Sequence, residues 1–180
     1  MMNCGGEIEV CAGIPVGMLN RWRRMEIYLL RTLAALFLLV FAHPCFAAKT
    51  VVIDAGHGGH DRGGGPGQKI PEKGYALDVA KRLSTALQAA GFRTVMTRSS
   101  DEFISLGRRC QIANAQRDAV FVSIHFNSAP REGASGIETY YYGGRTSGAL
   151  ASAVHKEVVR ATGSIDRGVR QRRYYVLRNN

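Results

Sequence analysis

The chain has 180 residues, of which 46% are hydrophobic, and a formal net charge of +10. That length suits one domain of ordinary size plus a targeting segment. The apolar fraction suffices for a packed core and excludes a wholly disordered chain.

The first segment does not read as part of a folded domain. Arg21, Arg23, Arg24 and Arg31 form a basic flank, Leu33 to Ala42 is an apolar run, and Pro44-Cys45-Phe46-Ala47-Ala48 follows. A charged flank, a short apolar run and small residues spaced one apart fit a secretory signal cleaved near Ala47. The run falls short of the roughly 20 apolar residues that span a bilayer. An uncleaved N-terminal anchor is the alternative. Residues 1–47 are thus expected to be an extension and signal peptide, with Met25 as a possible true start, and residues 48–180 the domain. The expected location is outside the cell membrane, periplasmic or extracellular, with no stable membrane span after cleavage. Cys4, Cys11 and Cys45 would leave with the signal, so Cys110 alone remains and no internal disulfide is expected.

Thr50 to Ile53 is a β-branched run ending at Asp54-Ala55-Gly56, which predicts a buried strand and then a loop. Gly56 to Gly67 is glycine-dense and reads as loop. Pro71 suits a helix start, and Ala76, Leu77, Ala80, Leu83, Leu87 and Ala90 recur at helical spacing up to Gly91. Arg93 to Thr97 predicts a strand. Ser105 to Gln116 predicts a helix that buries Cys110 as a small apolar residue. Ala119 to Ile124 is continuously apolar, as in a strand covered on both faces. Gly136 to Tyr142 reads as a strand, Ser147 to Ala161 as a helix, and Tyr174 to Leu177 as the beginning of a further strand. This alternation predicts a three-layer α/β domain with a mostly parallel central sheet flanked by helices, whose sites form at the carboxyl ends of strands.

From Ala48 onward the chain holds 20 Lys and Arg against 11 Asp and Glu. Outside the membrane, the anionic partner for such a surface is the cell wall or its attached polymers; a solvated surface with no partner is the alternative. Arg167, Arg170, Arg172 and Arg173 form the densest cluster. No aromatic-interleaved motif accompanies it, so nucleic acid is not an expected partner.

His57 follows directly on the first strand of the domain, and His125 ends the central apolar strand, so a parallel sheet puts both on one rim. Glu72 stands in the first turn of the helix reached after the glycine loop, which is long enough to bring that turn over the rim. Two imidazoles and a carboxylate from separate elements make a three-ligand zinc site with one position left for water. Gly56, Gly58 and Gly59 would let the backbone turn beside the metal. Asp54 could orient an imidazole, or be a turn carboxylate. His60, on the loop, and His155, on a helix face, read as non-ligands.

The words around the trio carry more information than its spacing. They run Val52-Ile53-Asp54-Ala55-Gly56-His57-Gly58-Gly59, Glu72-Lys73, Thr97-Arg98 with Asp101, Leu106 with Arg109, Ala113-Asn114, Ser123-Ile124-His125-Phe126-Asn127-Ser128 and Gly136-Ile137-Glu138-Thr139-Tyr140-Tyr141. In this order the sequence from Lys49 to Asn180 resembles the zinc-dependent N-acetylmuramoyl-L-alanine amidases of type 3. The resemblance implies that His57, Glu72 and His125 bind Zn2+. It implies hydrolysis of the amide between N-acetylmuramic acid and L-alanine of the peptidoglycan stem peptide. Arg98, Asp101 and Arg109 match the family pattern as well; they read first as an ion-pair and hydrogen-bond network under the rim, and second as substrate contacts. Asn127 either hydrogen-bonds substrate or braces the loop after His125. An activator protein, if there is one, is not identified.

Members of this family carry a second glutamate, the general base, on a strand shortly after the segment matched here by Tyr175-Val176-Leu177-Arg178. That position falls beyond Asn180, so the catalytic residue itself has no counterpart here. Glu138 belongs to a different strand, and nothing in the sequence suggests it as a substitute. The sequence is therefore expected to be a fragment of a longer product, without the domain's last strand and helix and with a sheet edge exposed. The alternative is a degenerate, non-catalytic protein that binds zinc or the cell wall.

Overall fold

The computed structural model describes residues 7–13, 50–64, 70–126 and 135–180. In chain order these form β1 (Glu7–Gly13), β2 (Thr50–Ala55), α1 (Glu72–Ala89), β3 (Arg93–Met96), α2 (Leu106–Asn114), β4 (Ala119–His125), β5 (Gly136–Tyr141), α3 (Arg145–Thr162), β6 (Asp166–Gln171) and α4 (Tyr175–Arg178).

The strands make one six-stranded sheet in the order β3-β2-β4-β1-β5-β6. Every pairing is parallel except that of β1 with β5. Alternation along β2 and β4 sorts their side chains onto two faces. Val51, Ile53, Val120, Val122 and Ile124 join Leu83 and Leu87 of α1 and Leu150 and Val154 of α3 in one apolar cluster. Val52 and Phe121, from the other face, pack with Cys110 and Ala113 of α2 and Val176 and Leu177 of α4. Helices on both faces explain why β2 and β4 read as unbroken apolar runs. This is the three-layer α/β domain with a mostly parallel sheet that the alternation of elements predicts. Cys110, expected as a buried apolar residue, is 6% exposed.

Three features differ from the sequence reading. Glu7–Gly13, placed there in a segment outside the domain, forms a strand between β4 and β5, with Ile8 fully buried. Its alternation of Glu7, Ile8, Glu9 and Val10 has the period of a strand, but so short a pattern does not stand out beside the longer basic and apolar stretch that follows. That stretch and the proposed cleavage site near Ala47 lie outside the described residues. Where Tyr174 to Leu177 reads as the beginning of a strand, Tyr175–Arg178 is a short helix. Val176 and Leu177 are both buried, and neighbours on a helical turn can share a face as neighbours on a strand cannot. Finally, Asp166–Gln171 is a strand that the sequence reading passed over, because its charged residues and central glycine carry no apolar pattern.

Candidate metal centre

β2 and β4 are paired along their length, with Asp54 opposite Ser123 and Ala55 opposite Ile124. Their carboxyl ends therefore leave the sheet side by side, carrying His57 and His125. His57 takes a left-handed backbone conformation, φ 60°, that turns the chain sharply after the strand. Glu72 is the first residue of α1 and is 4% exposed.

These three side chains converge. His57 Nε2 lies 3.1 Å from Glu72 Oε1. His125 Nδ1 lies 2.9 Å from the same oxygen and 3.1 Å from His57 Nε2. The two rings meet edge to face, with centroids 4.7 Å apart and planes at 83°. The Phe126 amide donates to Glu72 Oε1 at 2.8 Å and ties α1 to the end of β4.

The donor set fits a small cation. Tetrahedral ligands about 2.0–2.1 Å from zinc lie roughly 3.3 Å from one another, close to the separations found here. His57 Nδ1 lies 2.9 Å from Asp61 Oδ2. An ionised carboxylate only accepts, so Nδ1 holds a proton, and in the neutral form of the ring the Nε2 lone pair would face Glu72. Two lone pairs facing at 3.1 Å repel unless a proton or a metal ion lies between them. Burial pushes the Glu72 carboxyl up, but hydrogen bonds from His125 and His57 overcome it and hold the group down at about 2. Burial disfavours the charged His57 ring, yet Glu72 and Asp61 together raise its pKa above the usual value.

Glycine makes the close approach possible at two positions. A Cβ on Gly56 would stand 2.4 Å from His125 Cε1. One on Gly63, at φ +67°, would stand 2.5 Å from His57 Cδ2 and 2.8 Å from Glu72 Cβ. The loop is thus packed against the His57, Glu72 and His125 side chains.

Beneath the rim, Asp54 is 1% exposed and accepts from Thr97 Oγ1 at 2.6 Å, Arg109 Nη1 at 2.6 Å and Ser123 Oγ at 2.8 Å. Of the two roles open to it, orienting an imidazole falls to Asp61 instead, while Asp54 anchors Arg109. Arg109 also donates to the carbonyls of Ala55, His57 and Ile104. Arg98, 2% exposed, donates to the carbonyls of Ala55, Gly56, Lys73 and Ser100. The two guanidiniums thus hold the backbone on either side of Gly56. Lys73 Nζ bridges the Gly59 carbonyl and Asp101 Oδ2, which joins α1, the glycine loop and the turn after β3.

From Val51 to Asn180 the sequence matches the family model described as N-acetylmuramoyl-L-alanine amidase. The chain belongs to this amidase family. Among relatives, it is 39% identical over 156 residues to the protein YqiI of Bacillus subtilis (strain 168), covering 82% of this chain and 75% of that one. It is 38% identical over 133 residues to the N-acetylmuramoyl-L-alanine amidase LytC of the same strain, covering 72% of this chain but only 27% of LytC. Among solved structures, the catalytic domain of the amidase CwlV from Bacillus (Paenibacillus) polymyxa var. colistinus superposes with a TM-score of 0.68 at 41% identity, covering 73% of this chain and 74% of that one.

The amidase fold thus brings together the three residues that the sequence pointed to as ligands. Asp61 was missed. Its spacing of four residues from His57 within the glycine loop was the available signal, but no regular element in the sequence predicted that the loop would fold back. Asn127 lies outside the described residues. His60 stacks near Phe103, with ring centroids 4.2 Å apart, and His155 is buried between Thr139 and Asp166. Neither belongs to the triad.

Proposed function

We propose that this chain acts as a zinc-dependent amidase that hydrolyses the bond between N-acetylmuramic acid and L-alanine of peptidoglycan, outside the cell membrane. The observation that carries the reading is the convergence of His57 Nε2, Glu72 Oε1 and His125 Nδ1 within 3.1 Å of one another. His57, Glu72 and His125 would hold the ion. When bound, zinc supplies Lewis acidity, polarising an amide carbonyl and lowering the pKa of water from about 15.7 toward about 7.

The surrounding residues keep that site in register. Asp61 fixes the His57 ring and its tautomer. The Phe126 amide fixes Glu72. Arg98 and Arg109 hold the Ala55–His57 backbone, so the imidazole cannot swing away from the rim. No described residue is assigned the proton shuttle. Glu138 is held by Tyr140 at 2.6 Å and by Arg170 at 3.2 Å.

A relative described as a probable cell wall amidase, LytH of Staphylococcus epidermidis, supports a location at the wall. Among the described residues no helix is long and apolar enough to cross a membrane. The test is incubation of purified peptidoglycan with the zinc-loaded protein in a form extended past Asn180 to carry the second glutamate that the family resemblance implies. Release of stem peptides with a free L-alanine amino terminus is expected; binding to sacculi without any release would contradict hydrolysis.

A further inference from the structure

Glu72 is followed directly by Lys73, whose ammonium closes a ring of contacts around one residue of the glycine loop. Lys73 Nζ donates to the Gly59 carbonyl at 2.7 Å and to Asp101 Oδ2 at 2.6 Å. The other oxygen of Asp101 accepts from the Gly59 amide at 2.8 Å. A single ion pair thus takes up both backbone polar groups of Gly59.

From Gly59 the contacts run on to the metal centre. Gly58 and Asp61 exchange backbone hydrogen bonds at 2.9 Å and 3.1 Å, which close a tight turn around Gly59. The Asp61 carboxylate accepts from the Gly63 amide at 3.1 Å through Oδ1 and from His57 Nδ1 at 2.9 Å through Oδ2. Lys73 and Asp101 are therefore joined to the His57 imidazole by one short turn and its hydrogen bonds.

This loop needs a hold from outside itself. Four of the seven residues from Gly58 to Gly64 are glycine, and glycine gives up more conformational freedom on ordering than any other residue. Nor can a side chain stiffen the near end. A Cβ on Gly58 would stand 2.1 Å from the Glu102 carbonyl oxygen, and one on Gly59 would stand 2.7 Å from the Phe103 amide nitrogen. The hold comes from α1 on one side and from the turn after β3 on the other. Lys73 is itself fixed: its carbonyl accepts from buried Arg98, and its amide donates to the Arg62 carbonyl at 3.2 Å.

Resting on the metal centre proposed above, we infer that Lys73 and Asp101 are positioning residues. Their ion pair latches the Gly58–Gly64 loop, holds His57 in place through Asp61, and so sets how fast a bound ion leaves. The Asp101 and Lys73 side chains are 57% and 20% exposed, so the pair adds little to global stability and is open to screening by salt. Because Lys73 adjoins Glu72, the same latch couples the helix that carries one ligand to the loop that orients another.

The test follows zinc loss from the loaded whole chain to excess chelator by stopped flow. Lys73→Met should speed the loss about tenfold, the lower end of the usual cost of losing a partner that orients a ligand, while the midpoint of urea unfolding stays unchanged. Asp101→Asn should act likewise, and the double variant should lose zinc no faster than Lys73→Met alone. Lys73→Arg should restore most of the retention. Asp78→Asn, which breaks an exposed pair with Arg82 on the same helix, should leave the rate as it is. In the unaltered chain the rate should rise with salt, and in Lys73→Met it should not. Equal rates for the unaltered chain and Lys73→Met at low salt would overturn the latch. Hydrogen exchange of the metal-free chain separates that result from failure of the metal centre. Faster exchange of the Gly58–Gly64 amides in Lys73→Met, with those of β2 and β4 unchanged, would support the latch on the loop even in a chain that retains no zinc. Unchanged exchange in that loop would overturn the latch, and zinc retention by the unaltered chain would then leave the metal centre standing.

Discussion

Asp61 Oδ2 accepts a hydrogen bond from His57 Nδ1 at 2.9 Å, four residues along the same loop. The contact settles which nitrogen of His57 is available to a metal ion, and leaves Nε2 as the atom facing Glu72 and His125. A loop without regular secondary structure thereby acquires one orientation, and the glycines around it provide the space.

Asp61→Ala should lower zinc affinity about 10–100-fold, the usual cost of losing the partner that orients a ligating imidazole. Competition with a chromophoric chelator measures this. Unchanged affinity would mean that packing by Gly63 alone holds the ring.

Gly56→Ala should displace the His125 ring, because the added carbon would lie 2.4 Å from it. Zinc retention after dialysis should fall sharply. Gly74→Ala is the matched control. Nothing lies within 4 Å of its new carbon, and Gly74 sits within α1. It should stabilise the chain by about 0.5–1 kcal/mol through helix propensity, read by urea unfolding.

The Asp54–Arg109 pair is buried, with side chains 2% and 4% exposed. Arg109→Met leaves Asp54 without its cation and should cost about 3–5 kcal/mol in urea unfolding. Arg109→Lys should rescue little, since a single ammonium cannot span Asp54 and the carbonyls of Ala55, His57 and Ile104 together.

The pH dependence of the metal-free protein follows from the triad. Glu72 is held down at about 2 from its usual 4.5, so its contribution is present above pH 4.5 and is lost as pH falls toward about 2. His57 is raised from 6.5, so its contribution is complete below pH 6.5 and is lost as pH rises through the raised value. In chelator, the Tm advantage of the unaltered chain over His57→Gln should therefore shrink from pH 6 to pH 8. With zinc present the order reverses, because protons compete with the metal for the same nitrogen. An advantage in chelator that grows with pH would contradict this assignment of the proton.

The elements that the sequence foretold best were those whose burial is written in their own residues. The runs in β2 and β4 and the spacing of Ala76, Ala80, Leu83 and Leu87 in α1 needed no knowledge of neighbours. Topology brought the proposed ligands His57 and His125 to one rim, since a parallel sheet puts the ends of β2 and β4 together, while the full set with Glu72 was what the family resemblance implied. What escaped depended on long-range partners. β1 lies between strands more than 100 residues distant in sequence, and half of β6 is charged because its arginines serve Glu138 and solvent rather than a core. Asp54 had two open roles in the sequence and Asp61 none; only the folded backbone sets Asp54 against Arg109 and Asp61 against His57.

Metal content is the most direct test of the central claim. The purified chain and its His57→Ala, Glu72→Ala and His125→Ala variants should be dialysed against trace zinc and analysed by mass spectrometry of the metal. About one zinc per folded chain is expected for the unaltered protein, with near-complete loss in each variant whose circular dichroism remains native. Retention of full stoichiometry in any of the three would show that the ion is held elsewhere.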